Sequence, residues 1–203
     1  MRHTKVLAFD FIINTLLTII ELAAGVLSGS AAILADGSQN LTDSLVITVA
    51  YVCERIATRP GNTKRSARHV YRLAAGINAT ILLILAVLIA GLAINRTLHP
   101  QILNTLTVIA IGSLSIVINF WAAGMLFAAR RDITVAAPYV GLLFSGLSGI
   151  GVFLSGIIAR RFGIHQIDGI VGIVIAALLF ARSSRMLRLA IWQPNKLLRS
   201  TIE

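Results

Sequence analysis

The chain has 203 residues, of which 57% are hydrophobic and 13% charged, with a net charge of +10 and a mean hydropathy of +0.86. A water-soluble domain would carry about 25% charged residues, so the composition excludes an ordinary soluble protein and predicts an integral membrane protein. The basic excess would also suit nucleic-acid binding, but it is spread over four segments without interleaved aromatic residues, which disfavours that class.

Six apolar stretches are each long enough, at about 20 residues, to cross a bilayer as a helix. They are residues 5–27, 31–53, 71–94, 103–125, 137–158 and 167–189. The predicted fold is therefore an all-α polytopic membrane protein, with six transmembrane helices in a bundle over residues 1–190. A short basic tail, 191–203, follows, and no cytoplasmic metal-binding domain is expected.

The Lys and Arg residues predict the orientation. Fifteen of the eighteen fall on one side of the six-span arrangement, counting Arg182 among the charges at helix ends. The positive-inside rule then places both termini in the cytoplasm. The expected location is the inner (plasma) membrane of the cell.

The first helix carries one polar stripe along an otherwise apolar surface. It consists of Asp10, Asn14, Thr18, Glu21 and Gly25, at spacings of three or four residues. An acid such as Glu21 inside a membrane span is rare and predicts a functional site. Because the following turn, 27–30, is very short, the first two helices are expected to be antiparallel neighbours.

The second helix contains the most polar stretch of the chain, AAILADGSQNLTDS at 31–44. Asp36, Gln39, Asn40 and Asp43 occupy positions i, i+3, i+4 and i+7, so they are predicted to share one helix face. Residues 54–70 follow, with Pro60, Gly61 and Asn62, and are predicted to form a cytoplasmic loop.

The later helices offer fewer polar side chains. Ser115 and Asn119 in the fourth helix are predicted to make hydrogen bonds between helices. Gly141, Ser145 and Gly149 form a row of small residues that permits close helix contact. Asp168 opens the sixth helix, where an acid is expected to cap the helix start.

Several motifs occur in the same order as in one family of transporters. Residues 28–36, SGSAAILAD, are similar to the family's S-G-S-x-A-L-L-A-D, and 39–43, QNLTD, to its H-N-L-S/T-D. Further matches are INRTLHP at 94–100, INFWAA at 118–123, GLSGIGV at 146–152 and IDGIV at 167–171. On these residues the chain resembles the transmembrane domain of the cation diffusion facilitator (cation efflux) family.

The resemblance implies a secondary transporter, usually a homodimer, that exports Zn²⁺ or a similar divalent cation in exchange for protons. The family's four metal-ligand positions fall on Gln39 and Asp43 in the second helix, and on Gly141 and Ser145 in the fifth. Only Asp43 keeps an ionisable side chain.

This ligand set departs from what zinc prefers, which is thiolate, imidazole and carboxylate. A weak, exchangeable site for a harder cation such as Mn²⁺ or Mg²⁺ is predicted from Asp43, Gln39, Asn40 and Ser145. Asn14, Glu21 and Asp36 are predicted to line the path of ions or protons. Neither catalytic residues nor a permanently bound cofactor are expected, so the protein is predicted not to be an enzyme.

Two interpretations of the sequence stay open. One is an active divalent-cation transporter of altered or weakened selectivity, for Zn²⁺, Mn²⁺, Co²⁺ or Mg²⁺. The other is a non-transporting homologue that acts as a membrane partner or regulator of another transporter. In either case a homodimer, or a heterodimer with a related transporter, would form through the helices within the membrane lipid.

Overall fold

The computed structural model describes residues 2–57, 64–129 and 133–192. Within these ranges the chain forms six long helices and no strand. The helices are α1 (Arg2–Ser28), α2 (Ala31–Ala57), α3 (Lys64–Leu98), α4 (Thr105–Leu126), α5 (Ile133–Phe162) and α6 (Gln166–Trp192), with a single 3₁₀ turn (Phe127–Ala129) after α4. The prediction of an all-α protein is therefore confirmed. Among the described residues, five of the six helices are long and apolar enough to cross a membrane, and α2 is the exception.

The helices coincide with the predicted apolar stretches to within a few residues and run beyond most of them. The prediction of a loop over 54–70 was wrong at both ends, because α2 continues to Ala57 and α3 already begins at Lys64. Lys, Arg and Ala are good helix formers, so a helix does not stop where its apolar part stops. Pro60–Asn62 lie outside the described residues, as does the predicted tail beyond Trp192.

The second helix is the centre of the bundle. It packs against all five other long helices. Ala31, Ala32, Ile33 and Asn40 have no exposed surface. Because protein surrounds α2 over this half, its polar side chains do not face lipid, which explains why its composition differs from that of the other five helices.

The surface of the bundle is apolar and its interior is partly polar. Large hydrophobic side chains such as Leu16, Leu88, Val117 and Leu147 are exposed on the outer helices. Buried polar side chains, in contrast, line the contacts between α1, α2, α4 and α5. This arrangement is the reverse of that in a soluble protein and suits a bundle surrounded by lipid, because no water is available there to solvate polar groups.

At one end of the bundle, an acid from α6 holds the start of α2. Gly29 has φ of +70°, which allows the tight turn between α1 and α2. Asp168 then accepts hydrogen bonds from Ser30 Oγ at 2.5 Å and from the backbone N–H groups of Ala31 and Ala32 at 2.7 and 3.4 Å. The predicted cap therefore exists, but it caps α2 and not the helix that carries Asp168. It joins the beginnings of α2 and α6.

Helices α4 and α5 approach each other closely at Gly112, where a Cβ atom would lie 2.6 Å from the backbone nitrogen of Phe153. We expect Gly112→Ala to lower the free energy of unfolding by about 1–3 kcal/mol, because the two backbones must separate. Thermal unfolding in detergent measures this change. Gly124→Ala is the matched control, since a Cβ at that exposed position meets nothing within 4 Å. Equal unfolding temperatures for the two variants would contradict the close approach.

Candidate functional site

The polar residues of α2 divide between two clusters that contact different helices. Gln39 and Asp43 face α5 and α6, whereas Asp36 and Asn40 face α1 and α4. The four side chains that were predicted to share one face of α2 therefore contact two different sets of neighbouring helices. Each pair is one helical turn apart, so each cluster receives an acid and an amide from α2.

The Asp43 cluster consists of Gln39 and Asp43 (α2), Ser145 and Ser148 (α5) and Arg182 (α6). Arg182 Nη2 donates a hydrogen bond to Asp43 Oδ1 at 2.6 Å, which is also an ion pair. Ser145 Oγ donates to Asp43 Oδ2 at 3.3 Å. The carboxylate of Asp43 thus has a cationic partner on one oxygen and a hydroxyl on the other.

Gln39 connects the same group to α5. Its Nε2 donates to Ser145 Oγ at 3.3 Å, and its Oε1 accepts from Ser148 Oγ at 3.1 Å. The side chain of Asp43 is 4% exposed and that of Arg182 is 39% exposed. The ion pair therefore joins a buried acid to a guanidinium that is partly exposed at the surface of the bundle.

Gly141 lies directly beside this carboxylate. A Cβ atom at Gly141 would be 2.8 Å from Asp43 Oδ1 and 2.9 Å from Asp43 Oδ2. The structure thus brings together all four positions implied by the family resemblance, Gln39, Asp43, Gly141 and Ser145. Only one of them supplies a carboxylate, and position 141 supplies no side chain at all.

The Glu21–Asp36 cluster consists of Glu21 (α1), Asp36 and Asn40 (α2), and Ser115 and Asn119 (α4). All five side chains are at most 1% exposed. Asn40 Nδ2 donates to Glu21 Oε2 at 2.6 Å, so Asn40 contacts Glu21 and not Asp43, with which it had been grouped as a ligand. Ser115 Oγ donates to Asp36 Oδ2 at 2.8 Å, and Asn119 Nδ2 donates to Ser115 Oγ at 3.1 Å.

Only some residues of the polar stripe predicted on α1 interact with other helices. Glu21 is buried and hydrogen-bonded to Asn40 of α2, and Asn14 is buried as well. Thr18, although buried, donates its hydroxyl to the carbonyl of Asn14 in its own helix at 2.8 Å. The side chain of Asp10 lies outside the described part of the chain.

The donor groups of both clusters limit the metal chemistry. Among the described residues, no three or more His, Cys, Asp or Glu side chains lie together in a group that could hold a metal ion. A tetrahedral zinc site of thiolates, imidazoles and carboxylates is therefore not assembled by these residues. Both clusters offer oxygen ligands only.

Arg182 is not recognisable as a site residue from a count of charges alone. Such a count assigns it to a helix end, although it lies about ten residues before the end of α6. An Arg within a span is expensive unless it finds an acid, and this was the signal that could have identified it.

Comparison with known proteins places these residues in a family. The profile described as "Cation efflux transmembrane domain" matches residues 7–191. The chain is 30% identical over 195 residues to zinc transporter ZitB of Yersinia pestis, covering 92% of this chain and 61% of the relative. It is 27% identical to the cadmium, cobalt and zinc/H⁺-K⁺ antiporter of Bacillus subtilis over 87% of this chain and 58% of the relative.

A third relative is the metal cation efflux system protein CzcD of Cupriavidus metallidurans, with 28% identity over 84% of this chain and 55% of the relative. The chain thus spans about three fifths of the length of these curated relatives. The profile match over residues 7–191 includes both clusters and the cap at Asp168.

Proposed function

Because the chain belongs to the cation efflux family, through a transmembrane domain matched over residues 7–191, we propose that it transports divalent metal cations across a membrane. Its apolar helices and its family make it an integral membrane protein. We propose that α2 also crosses the membrane, in addition to the five apolar helices, which gives six spans. With 27 residues it is about 40 Å long, which is enough to cross the bilayer inside the other helices.

One observation carries the proposal: a buried carboxylate, Asp43, meets a cationic group at the junction of α2, α5 and α6. We propose that a transported ion binds Asp43, with Gln39 and Ser145 as weaker oxygen ligands, when Arg182 moves away. Asn14, Glu21, Asp36 and Asn40 continue the polar path along α2.

The names of the relatives favour Zn²⁺, Cd²⁺ or Co²⁺ as the cargo, whereas the oxygen ligands of this chain also suit Mn²⁺ or Mg²⁺. We propose a weak, exchangeable site with altered selectivity. Exchange against protons, export from the cytoplasm, cytoplasmic termini in a plasma membrane and a dimer are parts of the same proposal.

The Arg182–Asp43 ion pair also favours a second function. If the guanidinium never leaves, Asp43 is permanently neutralised and the chain acts as a non-transporting membrane partner of another transporter. Among the described residues no group of three or more His, Cys, Asp or Glu side chains could hold a metal ion, which supports this alternative.

Reconstitution distinguishes the two functions. Proteoliposomes with a pH gradient are expected to take up at least one of Zn²⁺, Cd²⁺, Co²⁺, Mn²⁺ and Mg²⁺ faster than empty liposomes do. Dissipating the gradient with a protonophore is expected to slow the uptake, because the exchanged proton then supplies no driving force. If none of the five ions moves above the empty-liposome rate, the transporter proposal is wrong and the partner function is favoured.

A further inference from the structure

The Glu21–Asp36 cluster holds two buried acids close together. The Cβ of Glu21 lies 3.0 Å from the position that a Cβ would occupy at Gly37, so Glu21 packs on α2 between Asp36 and Asn40. Asn40, one turn after Asp36 on α2, donates to Glu21, and Ser115 donates to Asp36, so the two carboxylates belong to one group of buried side chains. Two like charges in a buried interior require neutralisation by protons or by a bound cation.

No basic side chain supplies this neutralisation within the described part of the chain. The hydrogen bonds to the two carboxylates come from Asn40 and Ser115, and the described ion pair is that of Arg182 with Asp43. The Glu21–Asp36 cluster therefore differs from the Asp43 cluster, in which a guanidinium already balances the acid.

The cluster also has many more free acceptors than free donors. Four buried oxygens of the cluster lack a hydrogen-bond partner among the described residues, namely Glu21 Oε1, Asp36 Oδ1, Asn40 Oδ1 and Asn119 Oδ1. No buried side-chain nitrogen of these same residues lacks a partner. Buried polar groups are normally satisfied, so an excess of oxygens contributed by three helices indicates an electropositive ligand.

We propose that the Glu21–Asp36 cluster is a second cation site, in which Glu21 Oε1, Asp36 Oδ1 and the amide oxygens of Asn40 and Asn119 ligate one divalent cation. Two carboxylates balance a charge of two, and carboxylate and amide oxygens are ligands that hard divalent cations accept. A cation that binds this cluster does not have to displace a basic side chain, whereas one that binds Asp43 has to displace Arg182. The inference depends on the cluster and not on transport, so a binding measurement tests it even if the chain moves no ion.

The test uses the purified full chain in detergent with Mn²⁺, whose binding is counted by electron paramagnetic resonance. Asp43→Asn is expected to keep one bound Mn²⁺ per chain. Asp36→Asn and Glu21→Gln, which preserve side-chain shape, are each expected to weaken that binding by at least about tenfold, the effect of losing one good charged ligand. Asn119→Leu provides a variant that keeps both acids if an acid variant fails to fold.

Two results would overturn the proposal. One is the loss of all Mn²⁺ binding in Asp43→Asn, and the other is unchanged binding in Asp36→Asn, Glu21→Gln and Asn119→Leu. Infrared spectra separate a cation from protons as the neutralising species. A carboxylic-acid absorption that is lost in Asp36→Asn can be assigned to this cluster. If that absorption persists in the wild type at saturating Mn²⁺, the acids are neutralised by protons and the proposal is overturned. If Mn²⁺ removes the absorption, the proposal is supported.

Discussion

Replacing Arg182 with Gln is expected to tighten divalent-metal binding at Asp43 by about tenfold to a hundredfold. A hydrogen bond to a charged group contributes about 1.5–3 kcal/mol net, and each 1.4 kcal/mol corresponds to a factor of ten. In the proposed site this energy opposes metal binding by the wild type, because a metal would have to displace the guanidinium that lies 2.6 Å from Asp43 Oδ1. In Arg182→Gln the metal no longer has this competitor.

Isothermal titration calorimetry with Zn²⁺ and Co²⁺ on the purified protein measures the change. Arg185→Gln is the matched control, because Arg185 is an exposed Arg on the same helix, one turn further on. We expect its Kd to equal that of the wild type. A Kd for Arg182→Gln that is unchanged or weaker would show that Arg182 does not compete with metal.

Thermal unfolding gives an independent reading of the same variant. Without metal, Arg182→Gln leaves a buried carboxylate unpaired, so its unfolding temperature is expected to fall. Saturating Zn²⁺ is expected to raise the unfolding temperature of the variant more than that of the wild type, because it binds the folded state more tightly.

Replacing Asp43 with Asn is expected to reduce metal uptake into proteoliposomes to the rate of empty liposomes. Asp43 supplies the carboxylate of its cluster, and its amide replacement leaves the cation facing neutral ligands and the guanidinium of Arg182. Neutral amide and hydroxyl groups hold a divalent cation poorly without a carboxylate. Initial rates for Zn²⁺ and Co²⁺ at equal protein incorporation test this expectation.

The double variant Asp43→Asn with Arg182→Gln completes a thermodynamic cycle for metal binding. If Arg182 acts through Asp43, the tightening seen in Arg182→Gln disappears when Asp43 is already Asn. Tightening of the same size in both backgrounds would place the effect of Arg182 elsewhere. Uptake at the wild-type rate by Asp43→Asn would remove Asp43 from the transport site.

The helices were predictable because their signal is local. A stretch of about 20 apolar residues must form a helix in lipid, so the stretches at 71–94 and 167–189 identified α3 and α6 directly. Helix ends were less predictable, since Lys64–Val70 is both charged and a good helix former. A hydropathy pattern indicates which residues lie in the hydrocarbon layer, but a helix can continue into the charged residues beyond that layer.

The partners of the polar residues were not predictable in the same way. Helical spacing put Asn40 and Asp43 on one face, but only the positions of α1 and α5 decide that Asn40 contacts Glu21 and Asp43 contacts Ser145. Arg182 was missed because a count of charges by side of the membrane ignores which charges turn inward. The resemblance placed Gly141 beside Asp43, since a matched motif carries three-dimensional information that periodicity lacks.

The cap at Asp168 has a mechanical consequence. Asp168 of α6 accepts a hydrogen bond from the start of α2, and Arg182 of α6 donates one to Asp43 of α2. The two helices therefore run parallel and are joined at two positions along their length. At 1.5 Å per residue, these two contacts are separated by about 18 Å along α2, from Ala31 to Asp43, and by about 21 Å along α6, from Asp168 to Arg182. Together these two contacts oppose sliding of α6 along α2. In the proposed function, a cation that takes the place of Arg182 removes only the contact at Asp43, so the contact at Asp168 is kept and α6 is released at one end only.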